Sequence, residues 1–250
     1  MSNFFEKAGE NLLYVFSFLA IIAAMFVVAY FAEFAARKRS GVKEKIFTVR
    51  TVAVIGVFSA LSFILFLLEF PVPFAPAFYK LDFSEIPVLI GGFAVGPAAG
   101  VMIEFIKITL KLLIKGTNTA FIGDLANFVV GCAFILPATI IYRFRRTRKT
   151  AFVSCAVGTA AITLFGTFFN AIYLLPAFSK FYGMPLETII AMGTEINAGI
   201  EGVYSFVFLA VAPLNLIKGL AVSVVTLLLY KPLMKALRRI GWMPKARPSK

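Results

Sequence analysis

No histidine occurs among the 250 residues. That removes the commonest general base and the commonest metal ligand together, and with them every serine–histidine or cysteine–histidine catalytic arrangement. Charge is scarce too, at 15% of residues, where a soluble domain carries about a quarter. The two cysteines, Cys132 and Cys155, lie in apolar runs with neither metal-ligand nor secreted-disulfide spacing, and read as small core residues. There is no G-x-x-x-x-G-K-S/T phosphate loop, so no ATPase of that type, and no H-E-x-x-H zinc signature. Catalysis by an intramembrane aspartate or a serine–lysine pair is the one enzymatic arrangement left open.

What is present is apolar. Hydrophobic residues make up 60% of the chain, 29 of them Phe, and the mean hydropathy is +0.92. A spanning helix needs about 20 mostly apolar residues. Runs of that kind cover Leu12–Ala32, Thr51–Leu68, Leu125–Tyr142, Ala151–Ser179 and Gly202–Tyr230. A sixth apolar region is interrupted by Gly91, Gly92, the Gly96-Pro97 step and Gly100. A Gly-Pro step disfavours one straight helix, so the region divides into a short helix near 84–95 and another near 97–115. The chain is expected to be an all-α integral membrane protein with seven membrane segments.

The net charge of +13 raises nucleic acid as a partner, and its distribution argues against it. Arg37, Lys38, Arg39, Lys43, Lys45 and Arg50 form one cluster. Arg143, Arg145, Arg146, Arg148 and Lys149 form a second, and Lys231, Lys235, Arg238, Arg239, Lys245, Arg247 and Lys250 a third. All lie between or beyond apolar runs, as the positive-inside rule expects of cytoplasmic loops facing lipid headgroups. With 36–50 in the cytoplasm and the Gly-Pro region split, all three clusters fall on one side. Glu69, Asp82, Glu187, Glu195 and Glu201 then fall on the other. The N-terminus is expected outside and the C-terminus in the cytoplasm. Residues 12–32 read as a reverse signal anchor, since Glu6, Lys7 and Glu10 do not make the positive flank of a cleaved signal.

Ionisable residues inside spans cost roughly 2.5–3.5 kcal/mol on insertion scales and are functional candidates. Lys218 has 16 uncharged residues before it and 12 after it in its run. Asn215 shares its helical face, and Pro213 frees a backbone carbonyl nearby. An amide beside a cation suits the edge of a heterocycle; a snorkelling lysine with an interhelical amide is the structural alternative. Asn127 and Asn170 lie towards the ends of two other spans. Each is either interhelical glue or part of a polar-studded pocket among aromatics. Glu104, Lys107 and Lys111 share one helix face, where Glu104 and Lys107 can pair. The Pro-rich stretch from Glu69 to Pro76, followed by Tyr79-Lys80-Leu81-Asp82-Phe83-Ser84-Glu85, is either a rigid lid or a plain connector. Ser84 is placed to cap the next helix, with Pro87 in its first turn. Gly56 and Ala60 form a small-xxx-small face for internal packing or for a docked partner.

The stretches Leu81-Asp82-Phe83-Ser84-Glu85-Ile86-Pro87, Gly96-Pro97-Ala98-Ala99-Gly100, Ala126-Asn127-Phe128 and Pro213-Leu214-Asn215-Leu216-Ile217-Lys218-Gly219 carry a resemblance. So does Tyr182-Gly183-Met184-Pro185 after Leu174-Leu175-Pro176. In order and spacing they resemble the riboflavin-specific S components (RibU type) of energy-coupling factor (ECF) transporters, over about 48–240. The L-D-F-S-D/E-x-P and P-x-N-x-x-K-G pieces together are the specific part. The resemblance implies a six-helix bundle at 47–240, with an extra N-terminal transmembrane helix and basic linker at 1–46 and a basic tail at 241–250. It implies capture of riboflavin, with flavin mononucleotide as a further ligand, and association with a membrane T component and two cytoplasmic ABC-type ATPases. It places Asn215 and Lys218 at the polar edge of the isoalloxazine ring, Asn127 and Asn170 in the pocket, and Lys80 and Leu81 in the lid. Gly56 and Ala60 fall on the partner-docking helix. No resident cofactor, metal or catalytic residue is implied. The family commonly carries Asn after the lysine matching Lys107; Ile108 stands there. S components for thiamine, folate or pyridoxine, or a membrane scaffold with no small ligand, are the alternatives.

Overall fold

A computed structural model of the protein describes residues 12–41, 45–116 and 121–239. Lys43, the N-terminal residues Glu6, Lys7 and Glu10, and the tail 241–250 lie outside the described residues. The chain is helical, with α1 (Leu12–Ser40), α2 (Val49–Leu67), α3 (Glu85–Ala94), α4 (Pro97–Lys115), α5 (Ile122–Phe144) and α6 (Arg148–Phe169). A π-helical turn (Asn170–Leu174) continues α6 into α7 (Leu175–Tyr182). Then come α8 (Leu186–Thr194), α9 (Val203–Phe206), a second π-helical turn (Val207–Val211) and α10 (Ala212–Arg239). Among the described residues, five stretches, Val15–Arg39, Val49–Leu67, Ile122–Phe144, Arg148–Phe181 and Val203–Leu237, are long and apolar enough to cross a membrane.

The expected division at Gly96-Pro97 is present. Gly96 has φ +147°, a backbone that favours glycine, and Pro97 opens α4 where its missing N–H costs nothing. Every residue of α3 is buried. It packs against α2, α4, α5 and α10, so this ten-residue helix is the axis of the bundle. Thr48 and Thr147 start α2 and α6 by accepting from the amides of Thr51 and Thr150. Ser84 does not play that part at α3: its side chain makes no cap hydrogen bond there, because its hydroxyl is taken by Lys107.

Both π turns end two residues before a proline, Pro176 and Pro213. Proline lacks an N–H and its ring clashes with the carbonyl one turn back. An extra residue in the preceding turn absorbs both defects without breaking the span.

The N-terminal helix α1 continues past the apolar run to Ser40, which puts Arg37, Lys38 and Arg39 in its last turn, where the helix dipole favours cations. It lies along α4 and α5. Phe26 packs on Phe105 and Phe128, and Phe18 on Phe169 and Tyr173. At its far end Glu33 accepts two hydrogen bonds of 2.9 Å from Arg143 and one of 2.6 Å from Arg37. Phe16, Leu19, Val27, Val28, Phe31 and Phe34 stay exposed, as befits a lipid-facing side.

The segment from 180 to 201, read from sequence as a loop between spans, contains α8. Ile189 is buried there, in a cluster with Val72, Ala75 and Leu81 of the 69–84 loop and with Leu175, Ile200, Phe206 and Leu214. That loop is no plain connector. Strands β1 (Phe70–Pro71) and β2 (Lys80–Leu81) pair antiparallel, Phe70 opposite Leu81, and fold it over one end of the bundle.

Candidate functional site

Beneath this loop lies a cavity of about 420 Å³, within the range of small-molecule sites. Phe78, Tyr79 and Lys80 roof it. Asn127, Val130 and Gly131 of α5 and Ile162 of α6 line its walls, with Asn170 and Leu174 of the first π turn and Phe178 of α7. Val211 of the second π turn and Leu214, Asn215 and Lys218 of α10 complete them. The two π turns therefore sit at the level of the cavity, on adjacent spans.

Of the residues selected from sequence, Lys80, Asn127, Asn170, Asn215 and Lys218 all line this one cavity, from four separate elements. Leu81 does not. It is buried beside Val72 and Ala75 and anchors the loop from within. Period two explains the difference, since neighbours on a strand face opposite ways. Gly56 and Ala60 lie elsewhere, exposed together on the outer face of α2.

The amides are held differently. Asn170 donates through Nδ2 to the Gly166 carbonyl at 2.7 Å and accepts from Tyr79 Oη at 2.7 Å. Burial pushes the Tyr79 phenol well above its ordinary range, so it stays a donor. Asn215 Nδ2 is buried and makes no hydrogen bond. It fits against Gly166, where a Cβ would come within 2.5 Å of that nitrogen. Gly166 thus makes the room in which Asn215 can present its amide.

Lys218 is not a free cation. Its Nζ lies 2.9 Å from Asp82 Oδ2 and 3.0 Å from Glu85 Oε1. Glu85 Oε1 lies 3.4 Å from Lys107 Nζ, which is 2.6 Å from Glu104 Oε1 and donates to Ser84 Oγ at 2.9 Å. Phe66 faces the same ammonium, 5.3 Å from the ring centroid. Asp82 also accepts from the Ser84 amide at 2.8 Å. Burial opposes ionisation of Asp82, but Lys218, Lys107 and the Ser84 side chain outweigh it and hold the carboxyl below its ordinary range. With three donors on an ammonium, Lys218 spends two on carboxylates and keeps one where it lines the cavity. The sequence singled out Lys218 without these partners. The missing signal was available: a mid-span lysine needs a buried carboxylate, and the L-D-F-S-E stretch supplies two.

The rim is charged. Glu69 Oε1 lies 2.9 Å from Lys80 Nζ and 3.0 Å from Lys115 Nζ, and Lys111 pairs with Asp124 at 2.5 Å. Partial burial works against the Glu69 charge, yet the two ammoniums keep its carboxyl below the usual value. Among the described residues no group of three or more His, Cys, Asp or Glu side chains is placed to hold a metal ion.

Comparison with known proteins gives the arrangement a context. Residues 50–230 match the family model "ECF transporter, substrate-specific component". The chain is 34% identical over 183 residues to the riboflavin transporter FmnP of Bacillus subtilis (strain 168), covering 73% of this chain and 90% of that one. It is 31% identical over 191 residues to the riboflavin transporter RibU of Staphylococcus aureus (strain TCH60), covering 74% of this chain and 91% of that one. A solved structure of the S component of a bacterial ECF transporter superposes with a TM-score of 0.59 at 31% identity, over 76% of this chain and 98% of the other.

Proposed function

The chain belongs to the family of ECF-transporter substrate-specific components, and we propose that it captures riboflavin in the cavity beneath the 69–84 loop. Its role is that of a multi-pass membrane transport component rather than an enzyme. The observation that carries the reading is the convergence of Asn127, Asn170, Asn215 and Lys218 on one cavity with Phe78, Tyr79 and Phe178. An isoalloxazine ring has an apolar body and one edge of alternating carbonyls and ring nitrogens. The aromatics suit the body. Asn215 Nδ2, unpaired, and the third Lys218 proton suit the edge. The lysines of the rim, Lys80, Lys111 and Lys115, suit a phosphate and bring flavin mononucleotide within the same proposal.

In this reading the loop lies outside the cell, the N-terminus outside and the C-terminus in the cytoplasm. The chain lacks a phosphate-loop motif, so energy comes from two ABC-type ATPases through a membrane T component. The exposed Gly56 and Ala60 face of α2 is where a close-packed helix of that component docks. Residues 47–240 make the binding domain, to which residues 1–46 and the tail 241–250 are added.

The test is the absorption spectrum and titration of the purified protein. A bound flavin colours it yellow, and riboflavin saturates binding at one site per chain. A colourless protein with no saturable riboflavin binding, whose melting temperature instead rises with thiamine, folate or pyridoxine, would overturn the choice of cargo.

A further inference from the structure

The five ionisable side chains beneath the loop do not balance. Asp82, Glu85 and Glu104 are three carboxyls; Lys107 and Lys218 are two ammoniums. All five are buried, Glu104 and Lys107 completely. If every acid were ionised, the cluster would hold one uncompensated negative charge inside an apolar bundle, which is among the costliest states for a protein interior.

The excess falls on Glu104. Asp82 is satisfied by Lys218 and the Ser84 amide, and Glu85 sits between both ammoniums. Glu104 Oε1 lies 2.6 Å from Lys107 Nζ but outside hydrogen-bond alignment, and Oε2 has no partner at all. The charged groups that face it are Lys107 one helical turn along, Glu85 of α3, and Lys218 of α10, with Asp82 beyond Lys218. From α5 the Cys132 thiol and Gly131 face it, from α2 the Phe66 ring stands over Lys107, and α1 brings Phe26 to the neighbouring Phe105. Gly131 is needed there, since a Cβ would come within 2.5 Å of Glu104 Oε1. The bundle makes space for this carboxyl and gives it too few donors.

We propose that Glu104 is a proton-binding site, its carboxyl carrying one proton from solvent while the loop is closed, so that the buried cluster is neutral. Asp82 is the only member of the cluster contributed by the loop. When the loop lifts and Asp82 leaves Lys218, one negative charge leaves with it. Glu85 and Glu104 then balance Lys107 and Lys218, and Glu104 gives its proton back to solvent. Closure of the loop therefore takes up one proton per chain, whatever the cargo.

Infrared spectroscopy of the full chain in lipid reads this directly. A protonated carboxyl has a carbonyl band apart from the amide and carboxylate bands, and it shifts on deuteration. The wild type shows such a band at neutral pH, and isotopic labelling of the glutamate carboxyls, but not of aspartate, moves it. That labelling needs no variant and so does not depend on any variant folding. Glu104→Gln removes the band. Asp82→Asn also removes it, because the remaining two acids and two ammoniums balance. No band in the wild type, a band that moves with aspartate label, or a band that survives Glu104→Gln overturns the site. A band that survives Asp82→Asn overturns its link to the loop.

Discussion

Tyr79 Oη donates to Asn170 Oδ1 at 2.7 Å, so a hydroxyl of the covering loop occupies the acceptor of a cavity amide. A ligand that uses Asn170 has to displace that hydroxyl or share it. Tyr79→Phe removes the competitor and leaves the ring in place against Phe78 and Phe206. One neutral hydrogen bond is worth about 0.5–1.5 kcal/mol net, so riboflavin binding to Tyr79→Phe should tighten by roughly two- to tenfold. The gain should vanish in an Asn170→Ala background, which a double-mutant cycle by titration calorimetry measures. Weaker binding in Tyr79→Phe would mean that the hydroxyl touches the ligand itself.

Lys218 has two roles that a single substitution confounds. Lys218→Met leaves Asp82 buried without its ion pair and Glu85 with only Lys107, 3.4 Å away, a loss of about 3–5 kcal/mol when a buried pair is broken. The double variant Lys218→Met/Asp82→Asn removes a charge of each sign and should recover much of the thermal stability. Riboflavin affinity should not recover, and should stay lower by about 1–3 kcal/mol for the unpaired ligand edge. Recovery of both would make Lys218 purely structural.

Gly166 is the third test. A Cβ there would meet Asn215 Nδ2 at 2.5 Å, Asn215 Cγ at 3.2 Å and Val130 at 3.3 Å. Overpacking of this kind costs about 1–3 kcal/mol, and here it pushes aside the buried Asn215 amide nitrogen that makes no hydrogen bond. Gly166→Ala should lose binding at least tenfold while its helix content, read by circular dichroism, stays unchanged. Gly56→Ala meets nothing within 4 Å and should bind riboflavin normally.

The spans were legible because hydrophobic length and the positions of basic residues are one-dimensional signals. The division at Gly96-Pro97 was legible for the same reason. Asn215 and Lys218 could be paired because one helix turn joins them. The partners of Lys218 could not, since Asp82 lies 136 residues away and was read as an ordinary acid between spans. The strands β1 and β2 are two residues each, too short for any alternation to show. The helix α8 has nine residues, below the length that a membrane-span pattern detects. Ser84 carried a capping signal that a lysine from another helix overrode.

Among its described residues the N-terminal helix α1 contributes none to the cavity, so a chain beginning at residue 47 should still bind riboflavin with unchanged affinity. It should be less stable. The cut strips Phe26 from Phe105 and Phe128, and it leaves Arg143 at 8% side-chain exposure without the carboxylate of Glu33. Glu33→Gln in the full chain separates these effects, since it keeps the helix and removes only the charge. A thermal melt of the three proteins should rank them full chain, then Glu33→Gln, then truncated. Loss of riboflavin binding on truncation would assign α1 to the site.

Acid should loosen the loop from both of its ion pairs, and only well below neutrality. Burial raises the Asp82 carboxyl and its two lysines with the Ser84 side chain lower it more; Glu69 likewise ends below its ordinary value through Lys80 and Lys115. A carboxyl held below its unfolded value contributes stability in full above that value, about 3.9 for Asp and 4.3 for Glu. The contribution fades as pH falls through the lower, folded value. These two carboxyls therefore leave loop protection undiminished from neutral pH down to about pH 5, where uptake of the Glu104 proton on closure makes it rise as pH falls, and below about pH 5 it should fall. Hydrogen exchange at the Tyr79 and Leu81 amides, corrected for intrinsic rates, follows it. Asp82→Asn should abolish much of the acid step, because the group that titrates is gone. A step near pH 6–7 that persists in Asp82→Asn would place control of the loop outside these two carboxyls.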